Sequence, residues 1–485
     1  MSALPISRPQ VRSAVPLLRP IAAAVGLALL GLVLGAALIY ATRFLLGDVA
    51  SGGVIALAFV PLVAGFVVTY PPIGAGAIFA TYPVATQGVP GVPLLQSVEV
   101  AVLAVAGLVV MQRLAAGRSP LRWSPALWWA LALLAWTLVA LPSGIDQELG
   151  VKHTTSLAGG LILACVILGS CASMRDVRWI LGALVLVAGG IATHAVLTVG
   201  TLRAYQGGSL VSGRIEGVFA QPNELGGFCA MTLLVAAGLA FGARTQRGRV
   251  LASLAWLALL GGLTLSLSRG SWIGAVAGTV FLVIVLPAAR RTALLLGVPI
   301  VLLAALLGAF GVENTQLRVV GERAQSISTL SRYDERGAIW REARRQIVDD
   351  PVTGQGPGSF PVASRKFTSV SSQVSATHAH DLLLTFAAEA GLPAVFFLLA
   401  FVGALVGAGR RAARRARAAD DFRDRAVVAG VSAALIAFFT QGIFDYTLRT
   451  TVLSLTVWSL VGALLACRRH AGSRFVPPGG ERTAG

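Results

Sequence analysis

Charge is scarce in this chain: 12% of its 485 residues are Asp, Glu, Lys or Arg, against 56% hydrophobic residues. Soluble globular domains carry about a quarter charged residues, so a soluble fold is excluded, and a mean hydropathy of +0.78 points to a polytopic membrane protein. Cysteine is also rare. Cys165, Cys171, Cys229 and Cys467 lie in or at the ends of apolar runs without metal-ligand spacing, so neither a disulfide framework nor a cysteine metal centre is expected. Acids number 21 against 39 bases, and there are five histidines.

What is abundant is membrane-length apolar sequence. Runs of about 17–25 residues span a hydrocarbon core. Fourteen candidates follow one another, at about 20–42, 52–70, 72–86, 94–113, 125–142, 156–173, 177–201, 223–242, 249–267, 270–287, 292–311, 382–408, 426–443 and 449–467. The third is short and rich in glycine and proline. The expected architecture is therefore all-α, with about 12–14 transmembrane helices in a single integral membrane domain over 1–485. The first run is too long for a signal peptide and lacks a small-residue cleavage site, so it reads as a retained span.

A net charge of +18 would suit a nucleic-acid partner, but the placement of the bases argues against one. With the N-terminus (Arg8, Arg12, Arg19) in the cytoplasm, the basic clusters fall on one side: Arg113–Arg122, Arg175–Arg178, Arg244–Arg249, Arg290–Arg291, Arg410–Arg425 and the tail from Arg468. The short opposite loops hold one or two bases each, mostly Arg43, Lys152, Arg203, Arg214, Arg269 and Arg449. This is the positive-inside pattern, which sets both termini in the cytoplasm and adds attraction to anionic membrane lipids.

No internal repeat divides the chain. The long polar interruption at 312–381 carries nine bases and eight acids and reads as an ordered lid on the outer side. Within it, "ERGAIWREARRQI" predicts a helix with Arg336, Trp340, Arg344 and Ile347 on one face, ended by Pro351 and a glycine-proline turn. Residues 468–485 are expected to form a disordered tail.

Polar residues of chemical interest gather on the outer side. "SGRIEGVFAQPNELGG" (212–227) places Arg214 in a loop and Asn223 where the chain re-enters the bilayer, in the position of a helix N-cap. "SLSRGSWIG" (266–274) holds Arg269 between two apolar runs with no room for a real loop. An arginine there either snorkels to headgroups or serves a site. "THAHDLLLTFAAEAG" (377–391) carries His378 and His380 one residue apart, then Asp381 as a candidate cap. In extended backbone the two imidazoles would point the same way. A third metal ligand of suitable spacing is missing, so no metal and no cofactor is expected. Neutral imidazole is the usual general base near neutral pH, and arginine forks fit phosphate oxygens. Glu389 and His194 are expected to make interhelical hydrogen bonds.

Together these elements resemble the O-antigen ligase and O-antigen polymerase superfamily of bacterial envelope glycosyltransferases. The matching stretches are R-x-x-G-x-F-x-x-P-N (Arg214–Asn223), S-x-S-R-G-S-W (Ser266–Trp272), R-x-x-x-W (Arg336–Trp340), D-P-x-x-G-x-G-x-G-S-F (Asp350–Phe360) and H-x-H-D-x-x-L…E-x-G (His378–Gly391). The resemblance implies a multi-pass protein of the bacterial inner membrane with a periplasmic active site. Its donor would be an undecaprenyl-diphosphate-linked glycan, and its acceptor a glycan, lipid A core or another envelope molecule. Transfer would be inverting and metal-independent, as ligase or polymerase. By resemblance His380 is the base, Arg214, Arg269 and Arg336 hold the diphosphate, and His378, Asp381, Trp340 and Asn223 support them. Asp381 departs from the family's asparagine, and its carboxylate would favour the imidazolium of His380.

The competing reading is a transporter or flippase of lipid-linked glycans. A transporter gathers ionisable residues near the bilayer midplane, often on broken-helix repeats. Here they gather at the outer helix ends.

Overall fold

The computed structural model describes residues 69–84, 88–89, 92–198, 205–206, 209–210, 214–292, 336–367 and 378–473. The runs expected at 20–42 and 292–311 lie outside them, as do nearly all of 52–70, lid residues 312–335 and 368–377, and tail residues 474–485.

Among the described residues the architecture is helical, with eight helices long and apolar enough to cross a membrane. The elements are α1 (Pro71–Ala77), α2 (Ser97–Ala115), α3 (Pro125–Ala140), α4 (Gln147–Ser170), α5 (Met174–Leu197), α6 (Pro222–Phe241), α7 (Gln246–Leu265), α8 (Arg269–Val285), α9 (Pro287–Thr292), α10 (Arg336–Asp349), α11 (Phe360–Phe367), α12 (Leu382–Ala418), α13 (Phe422–Gln441) and α14 (Thr451–His470). Two short antiparallel ribbons, Gly88–Val89 with Val92–Gln96 and Tyr205–Gln206 with Ser209–Leu210, sit between helices. The glycine- and proline-rich run at 72–86 is no regular span: α1 passes directly into a 3-10 helix, Ile78–Val84. The last helix continues through Arg468, Arg469 and His470, into the stretch expected to be tail.

Local chemistry explains the helix starts. Pro125 and Pro222 open α3 and α6, where a missing N–H costs nothing. Asp146, Ser173, Thr245, Asp381 and Asp421 cap α4, α5, α7, α12 and α13 through side-chain oxygens. α6 and α14 are the most buried spans. α6 packs between α7 and α13, α8 lies on α13, and α14 lies on α4 and α12. Backbones approach closely where small residues meet: a Cβ on Gly238 of α6 would stand 2.8 Å from the Gly430 Cα of α13.

The two ends of the bundle differ in chemistry. At one end the arginine-rich segments interlock. Arg178 pairs with Asp424, Arg468 donates to Ser124, and Arg415 and Arg122 donate to the backbone carbonyls of Arg468 and Cys171. The other end holds the segments around Arg214, Ser266, His380 and Asp445. All four cysteines are buried thiols.

Candidate functional site

The site is built from four segments at that second end. The first follows the ribbon before α6. Arg214 is 2% exposed, so it is tucked under the surface and is not displayed on an open loop. Its Nε donates to the Ser266 carbonyl (3.0 Å), and a terminal nitrogen donates to Asn223 Oδ1 (2.9 Å). Asn223 is therefore not the cap of α6. That position belongs to Gln221, and Asn223 sits one residue inside the helix, where its side chain orients the guanidinium.

The second segment is the tight link between α7 and α8. Leu267 takes a left-handed backbone (φ 51°), and Trp272 Nε1 donates back to the Leu263 carbonyl (2.9 Å). Ser266 and Ser271 crowd Gly226 of α6, where an added Cβ would stand 2.7 Å from either hydroxyl. Only small side chains fit at this crossing, which explains the serines of "SLSRGS" in physical terms. The link delivers Arg269, half-buried, to the first position of α8.

The third and fourth segments meet face to face. His378 and His380 precede α12, and "GIFDYTLR" (442–449) links α13 to α14. Leu382 N–H donates to the Gly442 carbonyl (2.7 Å), which locks them together. His380 adopts φ 50°, so the pair is not in extended backbone. The two rings lie 4.1 Å apart and converge on one carboxylate, Asp445. His380 Nδ1 is 3.2 Å from Asp445 Oδ1, and His378 Nε2 is 3.8 Å from it. Gln441 Nε2 reaches the Asn223 carbonyl (3.4 Å), and Gly270 packs against Phe444 and Gln441. The arginine segments and the histidine segment are thereby joined through α13 and the loop after it.

Asp445 was not identified from the sequence, and it changes the role of Asp381. The Asp381 side chain accepts from Leu384 N–H (2.8 Å) as the cap of α12, and burial raises its pKa. The carboxylate on His380 is Asp445. Burial alone would raise the Asp445 pKa. The His380 hydrogen bond, the two imidazoles and the Tyr446 N–H outweigh burial and hold it down at about 2. An ionised Asp445 accepts, so His380 Nδ1 carries the proton and Nε2 keeps its lone pair; this tautomer is assigned from the network. His378 is different. Burial pushes its pKa down to about 3, its Nδ1 accepts from the His380 N–H (3.1 Å), and it stays neutral.

His378, His380 and Asp445 also bring three ligand-type atoms within 4.8 Å of one another, the third ligand that spacing did not reveal. Two imidazoles and a carboxylate are a donor set suited to a divalent transition metal. In this packing Asp445 Oδ1 already accepts from His380 and from the Tyr446 N–H (2.9 Å), so the triplet is organised as a hydrogen-bonded network.

The remaining expected residues divide. Trp340 of α10 donates to the Ala379 carbonyl (3.1 Å), tying α10 to the histidine segment. The inward stripe of α10 is Ile339, Glu342, Ala343 and Gln346, with Arg344 exposed, so the expected arginine-aromatic face is not what packs. Arg336 begins α10, and its side chain lies outside the described residues. Glu389 joins elements as expected: it accepts from the Phe360 N–H (3.4 Å) and faces His153 at 3.8 Å. His194 stands exposed on α5, and among the described residues it makes no side-chain interhelical bond.

This site overlaps a known sequence signature. Residues 253–399 match the O-antigen ligase family. That stretch, less than half of the chain, is similar to O-antigen ligases. The match runs from α7 through the serine link, α10, α11 and the histidine segment into α12. Arg214 and Asp445 lie outside it, on either side. No curated protein matches the chain. The membrane-length helices and this match point to a membrane protein similar, over that stretch, to ligases of polysaccharide biosynthesis.

Proposed function

We propose that the chain transfers a glycan from an undecaprenyl-diphosphate carrier to an acceptor hydroxyl at the periplasmic face of the bacterial inner membrane, as an O-antigen ligase or a polysaccharide polymerase. The observation that carries this reading is the His380–Asp445 contact at 3.2 Å. It orients an imidazole with its basic Nε2 directed away from the carboxylate. The His380 side chain is 27% exposed, so substrate reaches it.

The steps follow from charge and geometry. His380 Nε2 takes the proton of the acceptor hydroxyl as that oxygen attacks the anomeric carbon. The bond from that carbon to the diphosphate oxygen breaks, and the leaving group departs with its electron pair. Asp445 stabilises the imidazolium that forms, the role a carboxylate plays behind any catalytic imidazole. Arg269, at the head of α8, binds the diphosphate directly, and the α8 N-terminus adds its own positive end. Arg214 contributes positive charge from beneath, with Arg336 assisting from the lid. Attack from the face opposite the leaving group inverts the anomeric centre. His378 and Trp340 position the segment that bears His380.

The test uses the full-length protein in proteoliposomes with a purified lipid-linked glycan donor and its acceptor. His380→Ala and Arg269→Ala are each expected to abolish transfer while membrane insertion stays normal. Full activity in either variant refutes the assignment.

A further inference from the structure

A cavity of about 360 Å³ lies among α2, α3, α4, α6, α12 and α14, behind Tyr446. Its size falls within the roughly 300–1,000 Å³ of small-molecule sites. Its walls carry ionisable groups at the helix ends, among them three buried carboxylates, and a buried charge is costly unless it is partnered or functional. The partners present are held slack. Arg449 stands 3.6 Å from Glu224, His153 stands 3.8 Å from Glu389, and His153 Nδ1 is buried without a hydrogen bond. Both carboxylates are about 95% buried. Neither pair is within hydrogen-bond distance, and all four side chains belong to residues that line the cavity.

The lining discriminates among ligands. Three carboxylates (Glu99, Glu224, Glu389) face two fixed cations (Lys152, Arg449), so the cavity does not favour a phosphate. An acyl or prenyl chain would leave those charges desolvated. What fits is a neutral polyol ring: carboxylates accept from its hydroxyls, Arg449 and His153 donate, and Phe386 and Trp458 offer apolar faces to its C–H bonds. Tyr446 lines the cavity and is the residue after Asp445, and the wall from Val218 to Glu224 continues the segment that holds Arg214. The cavity therefore adjoins the candidate site on both its donor and its acceptor sides.

We propose that this cavity is a saccharide subsite, holding one sugar unit of the glycan by its hydroxyls while the bond next to it reacts. The inference rests on the glycosyl-transfer reading. The sugar belongs either to the lipid-linked donor or to the acceptor.

Ser156 of α4 lines the cavity, and the four native cysteines are buried, so Ser156→Cys gives a near-isosteric reporter. The full-length variant in proteoliposomes is treated with 2-aminoethyl methanethiosulfonate, alone and with methyl glycosides of a hexose, a 6-deoxyhexose, an N-acetylhexosamine and a hexuronate. At least one glycoside should slow modification fivefold or more in a saturable way. Modification that no glycoside slows overturns the proposal. So does failure of Ser156→Cys to react while Ile145→Cys, exposed at the same end, does react. Protection by lipid-linked donor alone assigns the subsite to the donor glycan, and protection by acceptor alone assigns it to the acceptor. Protection by neither overturns the proposal. Full transfer by His380→Ala would instead strike the glycosyl-transfer reading and leave the protection measurement standing.

Discussion

The sharpest perturbation of the proposed mechanism is Asp445→Asn. The substitution is nearly isosteric, and the amide oxygen can keep both contacts of Oδ1, one to His380 Nδ1 at 3.2 Å and one to the Tyr446 N–H at 2.9 Å. The imidazole therefore keeps its place and its tautomer, and what disappears is the negative charge facing the imidazolium in the transition state. Hydrogen bonds to charged groups contribute about 1.5–3 kcal/mol, roughly 1 kcal/mol more than neutral ones. Loss of the Coulomb component adds to this, since at 3.2 Å and an effective dielectric of 20 two unit charges interact by about 5 kcal/mol before solvent relaxation. Taking about 1.5–3 kcal/mol as the realised loss predicts a fall in kcat of roughly 10- to 150-fold. The KM for the lipid-linked donor should change little, because Asp445 does not face the diphosphate. Asp445→Ala, which frees the ring to rotate, should be slower still. Steady-state transfer in proteoliposomes measures both kcat and KM. Wild-type kcat in Asp445→Asn would refute the charge-stabilising role.

The other predictions concern the scaffold of the same site. His378 is held neutral by burial, with a pKa of about 3, while an unfolded histidine protonates near 6.5. Folding stability is therefore unaffected above about pH 6.5 and falls with acidification below it, by about 1.4 kcal/mol per pH unit down to about pH 3. Thermal unfolding between pH 7 and 4.5 should show this slope in the wild type, and His378→Asn should flatten it. Trp340→Phe removes the bond to the Ala379 carbonyl, worth about 1 kcal/mol. A several-fold drop in kcat with unchanged insertion is the expected result. Gly391 holds φ 77° inside α12, and a Cβ there would strike the Val352 carbonyl. Gly391→Ala should lower stability by about 2 kcal/mol or more and reduce membrane yield, measured by thermal shift in detergent.

How much of this was written in the sequence varies by residue. The spans at 94–113, 125–142, 156–173, 177–201, 223–242, 249–267 and 449–467 appear as helices, because in a membrane hydropathy and the burial of backbone polar groups act together. The helix Leu382–Ala418 runs well beyond its apolar run of 382–408. Its basic continuation, "GRRAARRARA", is a strong helix former outside the hydrocarbon. Hydropathy cannot see that part. Within the same helix Gly391 is a break in geometry, and Pro393 two residues later was its visible sign. The side chain of α10 that reaches the site, Trp340, does so by a hydrogen bond from one ring nitrogen. The helical spacing that suggested an arginine-aromatic face carried no information about which stripe would be buried.

Asp445 escaped sequence reading for a definite reason. It stands 65 residues after His380 and in another loop, so neither periodicity nor local spacing relates the two. Yet a signal existed. The positive-inside pattern leaves few ionisable groups at the outer helix ends, and Asp445 is the one acid in "GIFDYTLR", a link too short to hold it far from the membrane surface. A carboxylate kept there is costly unless it is paired. The same reasoning that singled out Arg269 as an isolated cation between two apolar runs would have singled out Asp445 as an isolated anion. The histidines and this aspartate are then the polar groups that such a surface must bring together. Asp381, the nearer acid in sequence, is occupied by its own helix terminus, since a residue at an N-cap directs its side chain to the amides that follow it. Proximity in sequence therefore misassigned the carboxylate, while the cost of an unpaired charge at the membrane surface would have assigned it correctly.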